Sequence, residues 1–291
     1  MNSVNKQPEV KYTVISHPVG IVLPEKSCDC HHHIFDHRFP WAPGDTRNLP
    51  EATVTDYQCF RQRLGLQRSV IVQPSSYGDD NRCLLEALRV LGGTARGEAV
   101  ITTATSDSEL DTLDAAGVTG IRFNFGAKAV TTPEMMFPLA HRVAERGWHI
   151  QLHAPADVLL ALKPLIEKIP NRIVIDHYFR LPQPNPLTHP AWRFAWELIN
   201  KGNCWVKLSA LYHQSNVADV GDMSAVMQAF LSEATERVLY GSDWPHPNLT
   251  SANKAMPDDA LILTRINEWA ANAYCRHRLF VANAEEFYRF N

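Results

Sequence analysis

The stretches GIRFNF at residues 120–125, TPEMMFPLAHRVAERG at 132–147 and WHIQLH at 148–153 decide the fold class. The first and last are short apolar runs of the kind that forms β-strands. The segment between them places apolar residues three and four apart, and Thr132 followed by Pro133 signals a helix start. A strand, a helix and a second strand in this order predict two parallel strands joined by a right-handed crossover.

The same alternation recurs along the chain. Near-continuous apolar character in these runs indicates strands that are buried on both faces. Eight such units in about 250 residues match the size of a closed (β/α)8 barrel. We therefore predict an α/β protein, a single-domain (β/α)8 TIM barrel over residues 27–291 preceded by an N-terminal extension over residues 1–26. An open doubly wound sheet is the alternative, but no glycine-rich nucleotide-binding motif follows any strand. The runs are residues 27–33, 69–73, 99–103, 120–125, 148–153, 173–176, 204–208 and 238–241.

Composition excludes several classes of function. Hydrophobic residues make up 45% of the 291 residues and charged residues 20%, as in ordinary globular proteins. The net charge is −3 and the sequence shows no basic cluster, so we expect no nucleic-acid partner. The N-terminal stretch contains no apolar segment long enough for a signal peptide or a membrane span, which predicts a cytoplasmic protein with no membrane partner. Six irregularly spaced cysteines predict reduced thiols.

Histidine and aspartate residues follow four of the predicted strands. His31 and His33 lie two apart on the first strand, so they share one face about 6.7 Å apart. Because the carboxyl ends of barrel strands meet at one rim, we expect these side chains to converge. Three imidazoles and a carboxylate there could bind one divalent metal ion, or hold a water molecule and polarise a carbonyl without one. The three imidazoles are those of His31, His33 and His177, the carboxylate is that of Asp243, and His153 is a further candidate ligand. We interpret the following as structural or surface residues: His32, His37, His141, His149, His189, His213 and His277.

These motifs resemble the amidohydrolase superfamily. D-x-H-x-H at residues 29–33, His177 after the sixth strand and S-D-W-P-H at residues 242–246 are similar to its 2-pyrone-4,6-dicarboxylate lactonase-like branch. The resemblance extends from about Cys28 to the segment NAEEFY at residues 283–288. It implies a hydrolase that opens a cyclic ester. In this hypothesis Asp243 is the general base toward water, and the catalytic imidazoles of His31, His33 and His177 polarise the ester carbonyl.

The resemblance also implies a small carboxylated lactone as substrate, similar to 2-pyrone-4,6-dicarboxylate, a muconolactone or a sugar-acid lactone. Arg122 and Arg180 match positions that bind the substrate carboxylate in the family. Lys128 matches an arginine there, and a lysine offers a point charge in place of a planar fork. The seventh strand is followed by residues 209–213, where the dicarboxylate lactonases have a further arginine. The remaining candidates for substrate binding are His246, Ser75 and Tyr178.

The cofactor and several alternative functions stay open at this point. We expect no obligatory cofactor, with one divalent ion, zinc or manganese, as the alternative, bound by His31, His33, His153, His177 and Asp243. No lysine lies between Gly120 and Phe125 to form a bridging carbamate, so a two-metal centre is not expected. The alternative functions are a zinc-dependent decarboxylase of the same superfamily, a lactone isomerase, and a non-catalytic protein that binds a small acid.

Overall fold

The computed structural model describes residues 9–47, 49–126 and 129–290. Its sheet has eight parallel strands in chain order, each paired with the next. The strands are β1 (Cys28–His32), β2 (Arg68–Val72), β3 (Ala95–Ala99), β4 (Val118–Asn124), β5 (His149–His153), β6 (Ile173–Ile175), β7 (Cys204–Leu208) and β8 (Val238–Tyr240). This architecture confirms the predicted (β/α)8 barrel, while the division between an extension and a barrel at residues 26 and 27 stays a prediction.

The barrel closes through the residues that follow β8. The main-chain N–H of Asp243 donates to the carbonyl oxygen of His31 at 2.8 Å, and that of His33 donates to Trp244 at 2.8 Å. A Cβ atom at Gly241 would lie 2.6 Å from Cβ of His31, so only glycine allows the two chains to approach this closely. The closure therefore brings the end of β1 directly beside Asp243.

The third strand differs from its prediction. The sequence indicated residues 99–103, whereas β3 is Ala95–Ala99 and contains the charged residues Arg96 and Glu98. Glu98 is buried inside the barrel, where its carboxylate lies 2.7 Å from the ammonium of Lys207. A hydrophobic pattern cannot identify a strand whose buried position is occupied by one half of an ion pair.

Helices connect the strands and surround them. Helix α4 follows Thr132 with Pro133 at its first position, as predicted. Thr53 and Ser106 begin α1 and α3 with capping boxes, in which side chain and main chain satisfy each other's hydrogen bonds. The helices are α1 (Val54–Leu64), α2 (Arg82–Leu91), α3 (Asp107–Ala115), α4 (Pro133–Ala144), α5 (Ala156–Ala161), α6 (Lys163–Ile166), α7 (Pro190–Asn200), α8 (Ser224–Glu233), α9 (Pro247–Ser251), α10 (Asp259–Trp269), α11 (Ala273–His277) and α12 (Asn283–Tyr288).

The amino-terminal end of the barrel is closed by α12. Phe287 and Tyr288 are buried there in one apolar cluster with inward-facing residues of the strands, including Cys28, Val70 and Leu239. All six cysteines are free thiols. None of the helices in the described ranges is long and apolar enough to cross a membrane. Because one end of the barrel is closed, the carboxyl ends of the strands form its only mouth in the described part of the chain.

Candidate active site

Four of the predicted catalytic residues meet at the mouth of the barrel. The Nε2 atoms of His31 and His33 lie 3.5 and 3.6 Å from Oδ1 of Asp243. The Nε2 atom of His177 lies 4.0 Å from the same oxygen. All four side chains are buried. Segments more than 200 residues apart thus place three imidazole nitrogens around a single carboxylate oxygen.

An irregularity in β1 turns the histidines toward the interior. The pairing register with β2 shifts between Asp29 and His32. His32 points out of the barrel and stacks on Tyr57 with ring centroids 3.5 Å apart, whereas His31 and His33 face inward, as the sequence predicts. The outward position of His32 explains why only two of three consecutive histidines belong to the site.

Asp29 joins this strand to the Asp243 segment. Its Oδ1 accepts hydrogen bonds from the main-chain N–H groups of His31 and Ser242 at 3.1 and 2.9 Å. Its Oδ2 accepts from the hydroxyls of Ser242 and Tyr57 at 2.6 and 3.1 Å. Burial raises the pKa of this carboxyl to about 6 against the opposing effect of those donors. Through these hydrogen bonds Asp29 holds the end of β1, which carries His31, next to the segment that carries Asp243.

The second oxygen of Asp243 contacts the loop after β7. Oδ2 accepts a hydrogen bond from the hydroxyl of Tyr212 and lies 3.6 Å from Nε2 of His213. Burial raises the pKa of Tyr212 well above its usual value, and the charge of Asp243 adds to this, so the phenol is neutral and donates. His213, predicted to be a structural or surface residue, thus contacts the cluster, and Tyr212 is a contact that the sequence did not predict. Their position directly after a strand of the barrel is the signal that could have found them.

Asp176 is a further residue of the site that sequence analysis did not select. Its carboxylate lies 3.3 Å from Nδ1 of His31, 3.5 Å from Arg122 and 3.8 Å from His153. Burial acts to raise the pKa of Asp176, but His31, Lys207 and Arg122 hold that pKa well below its usual range. The carboxylate is therefore charged. The residue directly precedes His177 at the end of a buried strand, which marks it in the sequence as well.

Burial favours the uncharged form of three of these histidines. It lowers the pKa of His31 to about 4 and that of His177 and His153 well below the usual value. Burial also acts to raise the pKa of Asp243, but the neighbouring His213 and His33 hold it well below its ordinary range. At neutral pH the cluster consequently combines the ionised carboxylate of Asp243 with the uncharged imidazoles of His31 and His177.

Hydrogen bonds identify which nitrogen of His33 carries the proton. Its Nδ1 lies 2.7 Å from the carbonyl oxygen of Val72, which can only accept. Nδ1 therefore carries a hydrogen, and in the uncharged ring Nε2 presents a lone pair to the cluster. The charged carboxylate beside Nδ1 of His31 favours the same tautomer there. An imidazole whose other nitrogen donates to a carbonyl or carboxylate is the arrangement of metal-binding histidines.

The donor set fits one divalent ion. Around a tetrahedral zinc ion with bonds of 2.0–2.1 Å the ligand atoms lie about 3.3 Å apart, close to the 3.5 and 3.6 Å observed here. Nε2 of His31 is buried without a hydrogen-bond partner among the described residues, and its Nδ1 has there only the ion-pair contact with Asp176 at 3.3 Å. Among the same residues, three groups of side chains could hold an ion, and they share members: His31, His33 and Asp243; His31, Asp176 and His177; and His177, His213 and Asp243.

His177 begins a left-handed turn. Four consecutive residues without glycine, from His177 to Arg180, have φ between 44° and 61°. Each such residue is less stable by about 1–2 kcal/mol than in a right-handed conformation, and strain of this kind is concentrated at functional sites. Ser209 contacts Nδ1 of His177 at 2.8 Å and fixes the ring. The turn thus places His177 in the cluster and Arg180 at its rim.

The predicted substrate-binding residues lie at different depths. Arg122 is buried and donates to the carbonyl oxygen of Gln73 at 3.2 Å. The Nε atoms of Arg122 and Arg180 are buried without hydrogen-bond partners among the described residues, so each arginine keeps a donor for a ligand. Both cations lie near His153 and contribute to lowering its pKa. These two arginines and His153 therefore form one side of the mouth.

The side chains of the other candidates make their contacts outside the cluster. Ser75 accepts a hydrogen bond from Arg47 at 3.3 Å and lines a surface cavity of about 240 Å³. Tyr178 is fully buried, with its hydroxyl 3.4 Å from the carbonyl oxygens of Ala210 and Leu211. His246 is also fully buried, and its Nε2 contacts Asp259 at 3.0 Å. Lys128 lies outside the described residues. Contact of any of these residues with substrate stays a prediction.

Comparisons with known proteins agree on one family. A protein-family model described as amidohydrolase matches residues 28–290. The 2-pyrone-4,6-dicarboxylate hydrolase of Comamonas testosteroni is 32% identical over 282 residues, 91% of each chain. The 4-sulfomuconolactone hydrolase of Rhizobium radiobacter is 30% identical, over 92% of this chain and 91% of the relative. The D-galactarolactone isomerase of Agrobacterium fabrum is 27% identical, over 92% and 93%.

A solved structure shows the same fold. The probable 2-pyrone-4,6-dicarboxylic acid hydrolase of Acinetobacter baumannii, which was crystallised with citric acid bound, superimposes with a TM-score of 0.78. It is 25% identical in sequence, and the match covers 91% of this chain and all of that chain.

Proposed function

Because this chain belongs to the amidohydrolase family, we propose that it opens a small carboxylated lactone by hydrolysis. The chain is an enzyme that acts on cyclic esters. The observation that carries the proposal is the arrangement of the catalytic cluster, in which an ionised Asp243 faces three buried imidazoles. Hydrolysis of an ester needs a base for the attacking water and a positive or polarising group at the carbonyl oxygen.

The proposal includes one divalent ion held by His31, His33, His177 and Asp243. The ligand role fits His33 better than hydrogen-bond donation to the carbonyl, because its Nε2 presents a lone pair. When bound, such an ion polarises an ester carbonyl and lowers the pKa of water. His153 faces the arginines at the rim, and its Nδ1 is buried without a partner in the described ranges, which leaves it available to the substrate or to the ion.

Separate residues carry the remaining catalytic and binding roles. Tyr212 engages Oδ2 of Asp243, so Oδ1, the oxygen that faces the three imidazoles, would both contact the ion and accept the proton from the attacking water. Arg122 and Arg180 bind the carboxylate of the lactone through their Nε donors, which have no hydrogen-bond partner among the described residues. Burial of the cluster excludes bulk water and strengthens these interactions. The citric acid bound to the Acinetobacter relative supports a carboxylated ligand.

A lactone panel tests this proposal. Purified enzyme is assayed with pyrone, muconolactone-type and sugar-acid lactones, with and without a chelator, and its metal content is measured on the same sample. Asp243→Asn is expected to reduce turnover about 10²- to 10⁴-fold, since a general base contributes that much. Asp114→Asn is the matched control, because Asp114 contacts Trp148 at the opposite end of the barrel.

The products separate the alternatives. NMR of the product distinguishes an opened ring from a migrated ester, which would indicate an isomerase, and from loss of carbon dioxide, which would indicate a decarboxylase. Ligand binding without turnover would indicate a non-catalytic binding protein. Parental turnover by the Asp243→Asn variant would contradict the proposed mechanism.

A further inference from the structure

A buried polar network lies inside the barrel beneath the catalytic cluster. Lys207, which has no exposed surface, places its ammonium 2.7 Å from Glu98 and 3.0 Å from Oε1 of Gln151. Nε2 of Gln151 lies 2.8 Å from both carboxylate oxygens of Asp176. Asp176 in turn lies 3.3 Å from Nδ1 of His31. The contacts form one continuous path from Lys207 to a catalytic imidazole.

Stability does not account for this network. The interior of a (β/α)8 barrel is usually filled by Val, Ile and Leu. A buried ion pair generally gives no more stability than apolar residues of similar volume, because both charges lose their hydration. Glu98 also has two other donors, His149 at 2.8 Å and Tyr288 at 3.1 Å. Glu98 would therefore keep two hydrogen-bond donors without Lys207. The hydrogen bonding of Glu98 does not by itself explain why a lysine is buried here.

The chemistry of Lys207 determines the orientation of Gln151. An ammonium group only donates hydrogen bonds, so the atom of Gln151 that faces it must be the amide oxygen. The amide NH₂ group then faces Asp176 and donates to it. Without Lys207, the amide oxygen of Gln151 would lose the ammonium that donates to it, and only the contact of the NH₂ group with Asp176 would hold the amide in place.

We propose that Lys207 is a positioning residue of the active site. It fixes Gln151, which holds Asp176 against Nδ1 of His31, so that Nε2 of His31 presents its lone pair toward Asp243. The inference rests on the proposed function for its kinetic consequence, but the geometry of the path does not depend on the identity of the substrate.

A paired substitution separates positioning from folding. In the double variant Lys207→Met with Glu98→Gln both charges are removed together, so neither remains buried alone, and the barrel is expected to fold. The expected result is a fall in kcat of about 10- to 100-fold, the range found when residues behind metal-binding or catalytic side chains are changed. KM is expected to change little, since Arg122 and Arg180 are untouched.

Two single variants complete the test. Gln151→Met removes the amide contact with Asp176 but keeps Lys207 beside Glu98 and 3.9 Å from Asp176, and it must reproduce the fall in kcat. Tyr288→Phe removes a donor to Glu98 without touching the path, and it is expected to keep the parental kcat. Thermal unfolding of each variant shows that the comparison is between folded enzymes.

NMR spectroscopy of one imidazole proton tests the positioning of His31 separately from whether the variant is folded. The Nδ1 proton of His31 should give a downfield imidazole resonance in the parent and in Tyr288→Phe, and it should be lost or shifted in the double variant and in Gln151→Met. A folded Gln151→Met variant with parental kcat and an unchanged resonance would overturn the proposal. If the parent turns over no lactone, the proposed function fails, while the resonance still decides whether Lys207 positions His31.

Discussion

Replacing Asp29 tests how the barrel closes at the active site. In Asp29→Ala the main-chain N–H groups of His31 and Ser242 lose the oxygen that accepts both of them. These groups are buried, and a buried donor without an acceptor lowers the free energy of unfolding by about 1–3 kcal/mol. The two together predict a loss of about 2–6 kcal/mol. Turnover should fall as well, because the same bonds fix His31 beside Asp243.

The matched control is Asp29→Asn. Its amide oxygen can still accept from both N–H groups, while its NH₂ group can donate to the hydroxyls of Ser242 and Tyr57 once these rotate. We expect its free energy of unfolding to stay within about 1 kcal/mol of the parent. Urea unfolding followed by tryptophan fluorescence measures both variants. An Asp29→Ala variant as stable as Asp29→Asn would refute the role assigned to these hydrogen bonds.

Three further predictions follow from other parts of the fold. Gly241→Ala should lower the free energy of unfolding by about 1–3 kcal/mol through overpacking and should reduce turnover, because the new Cβ atom would lie 2.6 Å from Cβ of His31. In the control Gly93→Ala the new Cβ atom meets no atom within 4 Å, so stability and turnover should both stay at the parental level. Cys59 is the one cysteine that is not buried, so a thiol reagent should modify a single residue in the native protein and none after Cys59→Ser. Thr53→Ala should lower stability by about 0.5–2 kcal/mol through loss of the helix cap, whereas Thr53→Ser should keep it; equal unfolding midpoints for the two Thr53 variants would contradict this.

The sequence predicted the barrel because most of its strands are continuous apolar runs. It missed the bounds of β3 for a physical reason. Glu98 is buried, but its partner Lys207 is 109 residues away in the chain, so no local pattern shows that the charge is compensated. A hydrophobic pattern describes how each segment meets an apolar core, and it does not describe pairs of charges that meet only after folding.

The predicted catalytic cluster is brought together because its residues end strands. His213, Tyr212 and Asp176 were harder to identify, since their contacts depend on conformations that composition does not encode. Ala210, directly before the segment that carries Tyr212, has a φ of 52°, which no rule would expect of alanine. The direction of that loop, and therefore its contact with Asp243, could not be read from the residues alone.

The left-handed turn from His177 to Arg180 limits how this enzyme could evolve. Its four residues supply a catalytic imidazole and a rim arginine within a single strained turn. Inserting or deleting one residue there would displace both groups at once, so natural variation in length should be rare at this position. Mutant libraries aimed at new lactones should leave the turn unchanged and diversify the loop that follows β4, where a change in specificity need not remove the chemistry.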